Sequence, residues 1–274
     1  MHRLECTVRS MPARPGRRRP DGRPGVPGSG HPLDNPAWWA LTGAQHGYGR
    51  LAGTVALYRP EVSAFGAFAD GPGPGEWAAL AELAGPDRVV ITTGRTSSPP
   101  DGWVVEFDGT GIQLTGEALV ADPPPDPPDG VEVVALGVED ADDMLELVAR
   151  TRPGPFARRT VELGGYVGIR HGGHLVAMAG ERMRPPGWAE ISAVATDPDH
   201  RRRGLGELLV RVVAAGIVAR GEVPMLHAAA DNTGALRLYG AMGFTERRRT
   251  RFVAARAPGG PADAAPGLSA APQG

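Results

Sequence analysis

The sequence contains no lysine; its 29 basic residues other than histidine are all arginine. Catalysis through a lysine Schiff base is therefore excluded, as is attachment of pyridoxal phosphate. A Walker A phosphate loop, which needs a lysine, is excluded too. There is one cysteine, Cys6, so neither an intrachain disulfide nor a cysteine-cluster metal site can form. No apolar run approaches the roughly 20 residues that a membrane span requires. No signal-like apolar segment opens the sequence either, and a cytoplasmic location is the expectation. The net charge of −2 carries no global bias toward nucleic acid or membrane.

What is present suffices for a globular protein: 274 residues, 41% of them hydrophobic, with 40 glycines and 28 prolines. Residues 1–30 are rich in Arg, Pro and Gly and poor in apolar side chains, so a disordered tail is expected, as it is for residues 257–274. The stretch "ADPPPDPPDG", Ala121–Gly130, forbids helix and interior strand. It marks residues 123–130 as a linker between an N-terminal α/β lobe, 31–122, and a second domain, 131–256. In the first lobe, Pro36 after Asn35 opens a helix through a Trp38-Trp39 pair read as core. "GTVALYRP" and "DRVVITT" read as strands around a helix "GEWAALAELAG", and "GWVVEF" with "GIQLTG" reads as a hairpin across "DGT". In the second domain a strand, an amphipathic helix over "VEDADDMLELVART" and a strand–turn–strand precede the strand "WAEISAVAT".

The chemistry concentrates in "TDPDHRRRGLGELLVRVV", Thr196–Val213. Leu205, Leu208, Leu209, Val212, Val213 and Ile217 form an apolar helical stripe. The first turn of such a helix has backbone N–H groups without intrahelical partners and carries a partial positive charge. Gly204 and Gly206 remove side chains, and Arg201, Arg202 and Arg203 add full charges. The combination suits a phosphate or pyrophosphate. A tight strand–helix connection with a solvated basic face is the competing reading of the turn alone.

Two segments in order decide between these readings. "ISAVATDPDHRRRGLGELLV" resembles the acyl-CoA motif of the GNAT N-acetyltransferase superfamily. "LHAAADNTGALRLYGAMGF" resembles that family's strand–Asn–helix–Tyr–Gly-Phe segment. The resemblance covers Val131 to Ala255 and is closest to the glycine N-acyltransferase-like branch. It implies an α/β fold with a mixed, mostly antiparallel sheet flanked by helices. It implies transfer of the acetyl group of acetyl-CoA, the cosubstrate, directly to an amine acceptor, with no metal and no nucleic-acid or membrane partner. A homodimer is compatible with it. By position, the backbone of Val194, Ala195 and Thr196 would pair with the pantetheine arm. The N–H groups from Arg201 through Arg202, Arg203, Gly204, Leu205 and Gly206 would cradle the pyrophosphate. Asn232 would contact the pantetheine, and Tyr239 would sit beside the sulfur as proton donor. Glu190 is the candidate base, because alternation along its strand puts Ser192 and Val194 on its face. Glu181 is a second candidate, whereas His200 and His227 read as structural. The run "RRRTR", Arg247–Arg251, reads as a solvated strand face. A non-catalytic acyl-CoA sensor that keeps the fold is the competing class. The first lobe carries no such turn; it reads as a degenerate copy of the same fold or as a separate binding module.

Overall fold

The computed structural model describes residues 30–119, 127 and 131–259. Most of both expected tails and of the proline linker lies outside them. Pro36, whose missing N–H costs nothing at a first turn, opens α1 (Pro36–Thr42). A hairpin of β1 (Gly49–Ala52) and β2 (Val55–Tyr58) follows, turning at Gly53, whose φ of +57° suits glycine. The sequence "GTVALYRP" thus holds only the second strand of a pair. Next come β3 (Phe65–Phe68), which the sequence reading lacked, α2 (Pro74–Ala84), β4 (Val89–Thr93) and β5 (Val104–Thr115). The expected hairpin across "DGT" does not form. Residues 104–115 make one long strand, because β5 finds a partner of equal length and keeps its ladder bonds through Asp108-Gly109-Thr110.

The second half begins with β6 (Glu132–Leu136) and α3 (Ala141–Thr151). β7 (Tyr166–His171) and β8 (His174–Glu181) are joined at Gly172-Gly173, both with positive φ, as a two-residue hairpin requires. β9 (Trp188–Thr196), α4 (Leu205–Ala219), β10 (Val223–Ala229), α5 (Thr233–Ala241) and β11 (Thr245–Arg256) complete the chain. Leu205, Leu208, Leu209, Val213 and Ile217 of α4 are buried against Ile169, Ala177, Ile191 and Leu226 of the sheet, while Val212 stays half-buried. Each fully buried aliphatic side chain contributes about 1.5–3 kcal/mol. No described helix is long and apolar enough to cross a membrane.

The described strands form one 11-stranded sheet in the order β1-β2-β3-β4-β11-β5-β10-β9-β8-β7-β6. β1, β2 and β3 pair antiparallel, then β3 pairs parallel with β4 across α2. β7, β8 and β9 repeat that pattern, with β9 parallel to β10 across α4. The two halves therefore share one topology, and they exchange their last strands. β5 of the first half lies on β10, and β11 of the second lies on β4. The exchanged strands pair with each other along their length. Gln45 reinforces the junction: its side-chain amide donates to the carbonyls of Leu163 and Arg182, and its oxygen accepts from Tyr58 at 2.6 Å.

Because β5 and β11 each belong to both halves, unfolding should be a single transition. Val253 is fully buried and sits opposite both Thr92 and Asp108. Val253→Pro removes a ladder bond in a central strand, at about 3 kcal/mol or more. It should lower the midpoint of both halves together, read as coincident loss of tryptophan near-ultraviolet signal and backbone circular dichroism.

Candidate active site

β9 and β10 are in register from Trp188–Val223 to Ile191–Leu226 and then part. Beyond that point β9 carries a bulge: Gly180 of β8 faces Ser192, but Met178 faces Ala195. Ala193 takes a φ of +53°, the left-handed geometry that a bulge imposes. The bulge turns the strand from β10 and opens a groove of about 470 Å³. Ser192 to Thr196 form one wall and His227 to Ala229 the other, with Arg152, Arg182, Arg201, Asn232 and Tyr239 completing it. Val194, Ala195, Thr196, Arg201, Asn232 and Tyr239, singled out from the sequence, thus line one cavity.

The turn that follows adopts the conformation of an anion cradle. Arg202 and Gly204 have φ of +62° and +76°, and Gly204 caps α4. The N–H groups of Leu205, Gly206 and Glu207 precede the first intrahelical bond, Leu208 N–H to the Gly204 carbonyl. Leu205 offers only its backbone, since its side chain is core. At Gly206 a Cβ would point toward Thr196 and Val194, which line the groove. Arg201, Arg202 and Arg203 are exposed, and no ion pair among the described residues uses them. Arg201 Nε also donates to the Thr196 carbonyl at 3.3 Å; three arginines without a carboxylate partner among the described residues, free N–H groups and a glycine-open approach fit a pyrophosphate. Asn232 caps α5 by accepting from Ala235 N–H at 3.1 Å. Tyr239 is 8% exposed, and its hydroxyl bonds to no described residue. Burial pushes its pKa up to about 12, so the phenol keeps its proton throughout the neutral range.

Glu190 does not line the groove. It is fully buried, and Arg182 donates to both carboxylate oxygens, at 2.6 and 2.9 Å. His227 Nδ1 lies 2.7 Å from Oε1. Burial alone would raise the carboxyl's pKa. The Arg182 charge and bonds, with those of His227, outweigh burial and hold it well below the ordinary range. The strict alternation expected from Glu190 to Val194 fails because the bulge at Ala193 lies between them. Glu181 is also buried and is held by Arg220 at 2.7 Å, away from the groove. His200 stacks edge-on against His171 outside it. His227, read from the sequence as structural, is a lining residue, as is Arg182. Its Nδ1 faces Glu190, and Nε2 lies 3.1 Å from the Gln113 amide nitrogen, so both ring nitrogens are engaged. A histidine inside an apolar strand gave no local sign of this; only the register of β10 on β5 and β9 places it here.

Comparison with known proteins gives a consistent family. The FR47-like protein family matches residues 166–253. N-alpha-acetyltransferase RimI of Mycobacterium tuberculosis is 38% identical over 125 residues, which are 42% of this chain and 78% of that protein. The structure of a GNAT-family protein from Novosphingobium aromaticivorans aligns with a TM-score of 0.72 at 38% identity. The alignment covers 82% of this chain and 98% of the other. A GCN5-related N-acetyltransferase from Kribbella flavida shares the fold at 20% identity, with a TM-score of 0.53, over 77% of this chain and 90% of its own.

The depressed Glu190 pKa has a stability consequence with a definite sign. A carboxyl ionised more easily in the folded state stabilises it above the unfolded value near 4.5. That contribution is lost as pH falls from there toward the lowered folded value. Glu190→Gln should therefore flatten the acid limb of a stability–pH curve relative to wild type. Arg182→Met, which strands a buried charge, should cost about 3–5 kcal/mol at neutral pH, measured by urea unfolding. Adding Glu190→Gln to it should recover part of that loss.

Proposed function

Because the chain belongs to the GNAT N-acetyltransferase superfamily, as its 38% identity to relatives covered over most of their length shows, we propose that it transfers the acetyl group of acetyl-CoA directly to an amine. The observation that carries this reading is the groove itself. The bulged, splayed end of β9 leads into a cradle of N–H groups with three arginines that no carboxylate pairs among the described residues, and Tyr239 lies along the same cavity. Acetyl-CoA supplies the acyl group as a thioester; the chain's residues do the rest. Arg201, Arg202, Arg203 and the N–H groups through Gly206 bind the pyrophosphate. Val194, Ala195 and Thr196 offer backbone groups to the pantetheine arm, and the N–H near Val194 stabilises negative charge on the carbonyl oxygen. Asn232 fixes the wall opposite. As the C–S bond breaks, Tyr239, protonated at neutral pH, gives its proton to the leaving sulfur, and the proton the attacking nitrogen sheds to water restores the phenol.

Glu190 is assigned here to positioning rather than to base catalysis. Its carboxylate is spent on Arg182 and His227, and a carboxyl with a lowered pKa is a weak acceptor. The RimI relative is named for N-alpha acetylation, so peptide N-termini belong in any acceptor screen. The glycine N-acyltransferase-like branch would make glycine the acceptor. The cation at the end of the groove, Arg182, is already paired, which argues for another amine.

Calorimetric titration with acetyl-CoA should give micromolar affinity, lost by tenfold or more in Arg201→Ala/Gly206→Glu. No binding by the wild type would leave the turn a mere connection and end the proposal. Binding without turnover on any amine would support a sensor instead. Tyr239→Phe should lower kcat about 100-fold or more while acetyl-CoA affinity stays within twofold. Glu190→Gln should leave the pH at which kcat/KM rises unchanged. A shifted or missing acid limb would return Glu190 to the base role.

A further inference from the structure

A second cavity of about 340 Å³ adjoins the groove on the same sheet, and the two share Arg182, His227, Ala228 and Ala229 as lining. We propose that this cavity is the acceptor subsite, and that it takes a primary amine bearing an uncharged apolar group about as large as a phenyl ring. The inference rests on the acetyl-transfer reading above and names its acceptor class.

The walls are apolar: Phe65, Ile91, Phe107, Pro155, Phe252 and Ala254. They come from both halves of the chain: Pro155 from the loop after α3, the others from β3, β4, β5 and β11. The strand exchange is therefore what builds the cavity. A second half standing alone would lack Phe65, Ile91 and Phe107. A dry cavity of about 150 Å³ holds benzene, so this one has room for an aromatic ring and a short arm ending at the shared residues.

Charge excludes the alternatives among amines. Among the described residues no carboxylate lines the cavity, so none of them pairs there with a second ammonium. The two ionisable lining groups are Arg182 and His227. Arg182 is bound through two hydrogen bonds to Glu190, and its guanidinium lies 4.6 Å from the centroid of the Phe65 ring. His227 is engaged at both ring nitrogens, by Glu190 and by Gln113. A substrate carboxylate finds no free cation. Apolar walls also lower the pKa of the amine itself, favouring the neutral form that attacks. The rim is open. Phe107, a lining residue that is 57% exposed, lies where β5 has run past the end of β10. An amine can thus enter from the side away from the arginine turn.

The test pairs kinetics with direct binding. At saturating acetyl-CoA, phenethylamine and isoamylamine should show kcat/KM at least tenfold above glycine, ethanolamine and putrescine. Ala254→Trp, which fills the cavity, should raise KM for phenethylamine tenfold or more. Phe107→Ser, at the exposed rim, should raise it severalfold without risk to the core. By NMR, phenethylamine should shift the amides of Gly111, Ala228 and Ala254, but not those from Arg201 to Gly206, and Ala254→Trp should abolish the shifts. A preference for glycine, putrescine or a peptide N-terminus overturns the proposal, as does unchanged KM in both variants. Hexanoyl-CoA used in preference to acetyl-CoA, with that preference lost in Ala254→Trp, would make this an acyl-chain pocket and also overturn it. Failure to bind acetyl-CoA, with the phenethylamine shifts intact, would remove the acetyl-transfer reading but leave the ligand class of the cavity standing.

Discussion

The ion pair between Arg182 and Glu190 is the contact on which the site depends. It sits where β9 and β10 separate, with Glu190 fully buried and Arg182 8% exposed. An unpaired carboxylate there would be expensive; paired through two bonds, it anchors a row of polar contacts across the sheet. His227 on β10 donates to Glu190, Gln113 on β5 donates to His227, and Arg247 donates to Gln113 and to Asp34. Each member is satisfied by the next, which is the condition for a polar row in a core to specify a single arrangement. Burial would raise the Asp34 carboxyl's pKa, but Arg247 and Arg248 outweigh it and lower it.

The same row ties the groove to the strand exchange. β5 lies between β10 and β11, so the side chain that steadies His227 comes from the first half of the chain. The first half carries no arginine–glycine turn. The start of α2 differs accordingly: Gly73 N–H is taken by Glu76, an internal carboxylate where the second half exposes cations. What the first half contributes is surface. Its Phe65, Ile91 and Phe107 wall the apolar cavity, and Gln113 braces its floor.

Much of the groove was legible in the residues because its signals are local. Helical periodicity fixed α4, and glycine spacing fixed the turn before it. The Asn232 and Tyr239 pattern fixed α5, and Arg201 of the turn, Asn232 and Tyr239 line one cavity. Two readings failed for a common reason. "DGT" looks like a hairpin turn, but the long partner β11 pulls it straight. Glu190 looks as though it shares a face with Val194, but a bulge at Ala193 interrupts the alternation. His227, read as structural, lies in that buried polar row, and two neighbouring strands also place it at the junction of both cavities.

The sequence alone determined what depends on neighbours within a turn or two: the helices, the left-handed positions at glycine, the charge of the arginine turn and the exclusion of lysine chemistry. Tertiary structure decided the strand exchange, the Arg182–Glu190–His227 row and the apolar cavity. Those depend on register between segments far apart in the chain, such as Gln113 and Arg247, 134 residues from one another. Strand pairing is set by backbone bonds common to all residues, so no local pattern announces which strand a given residue will meet.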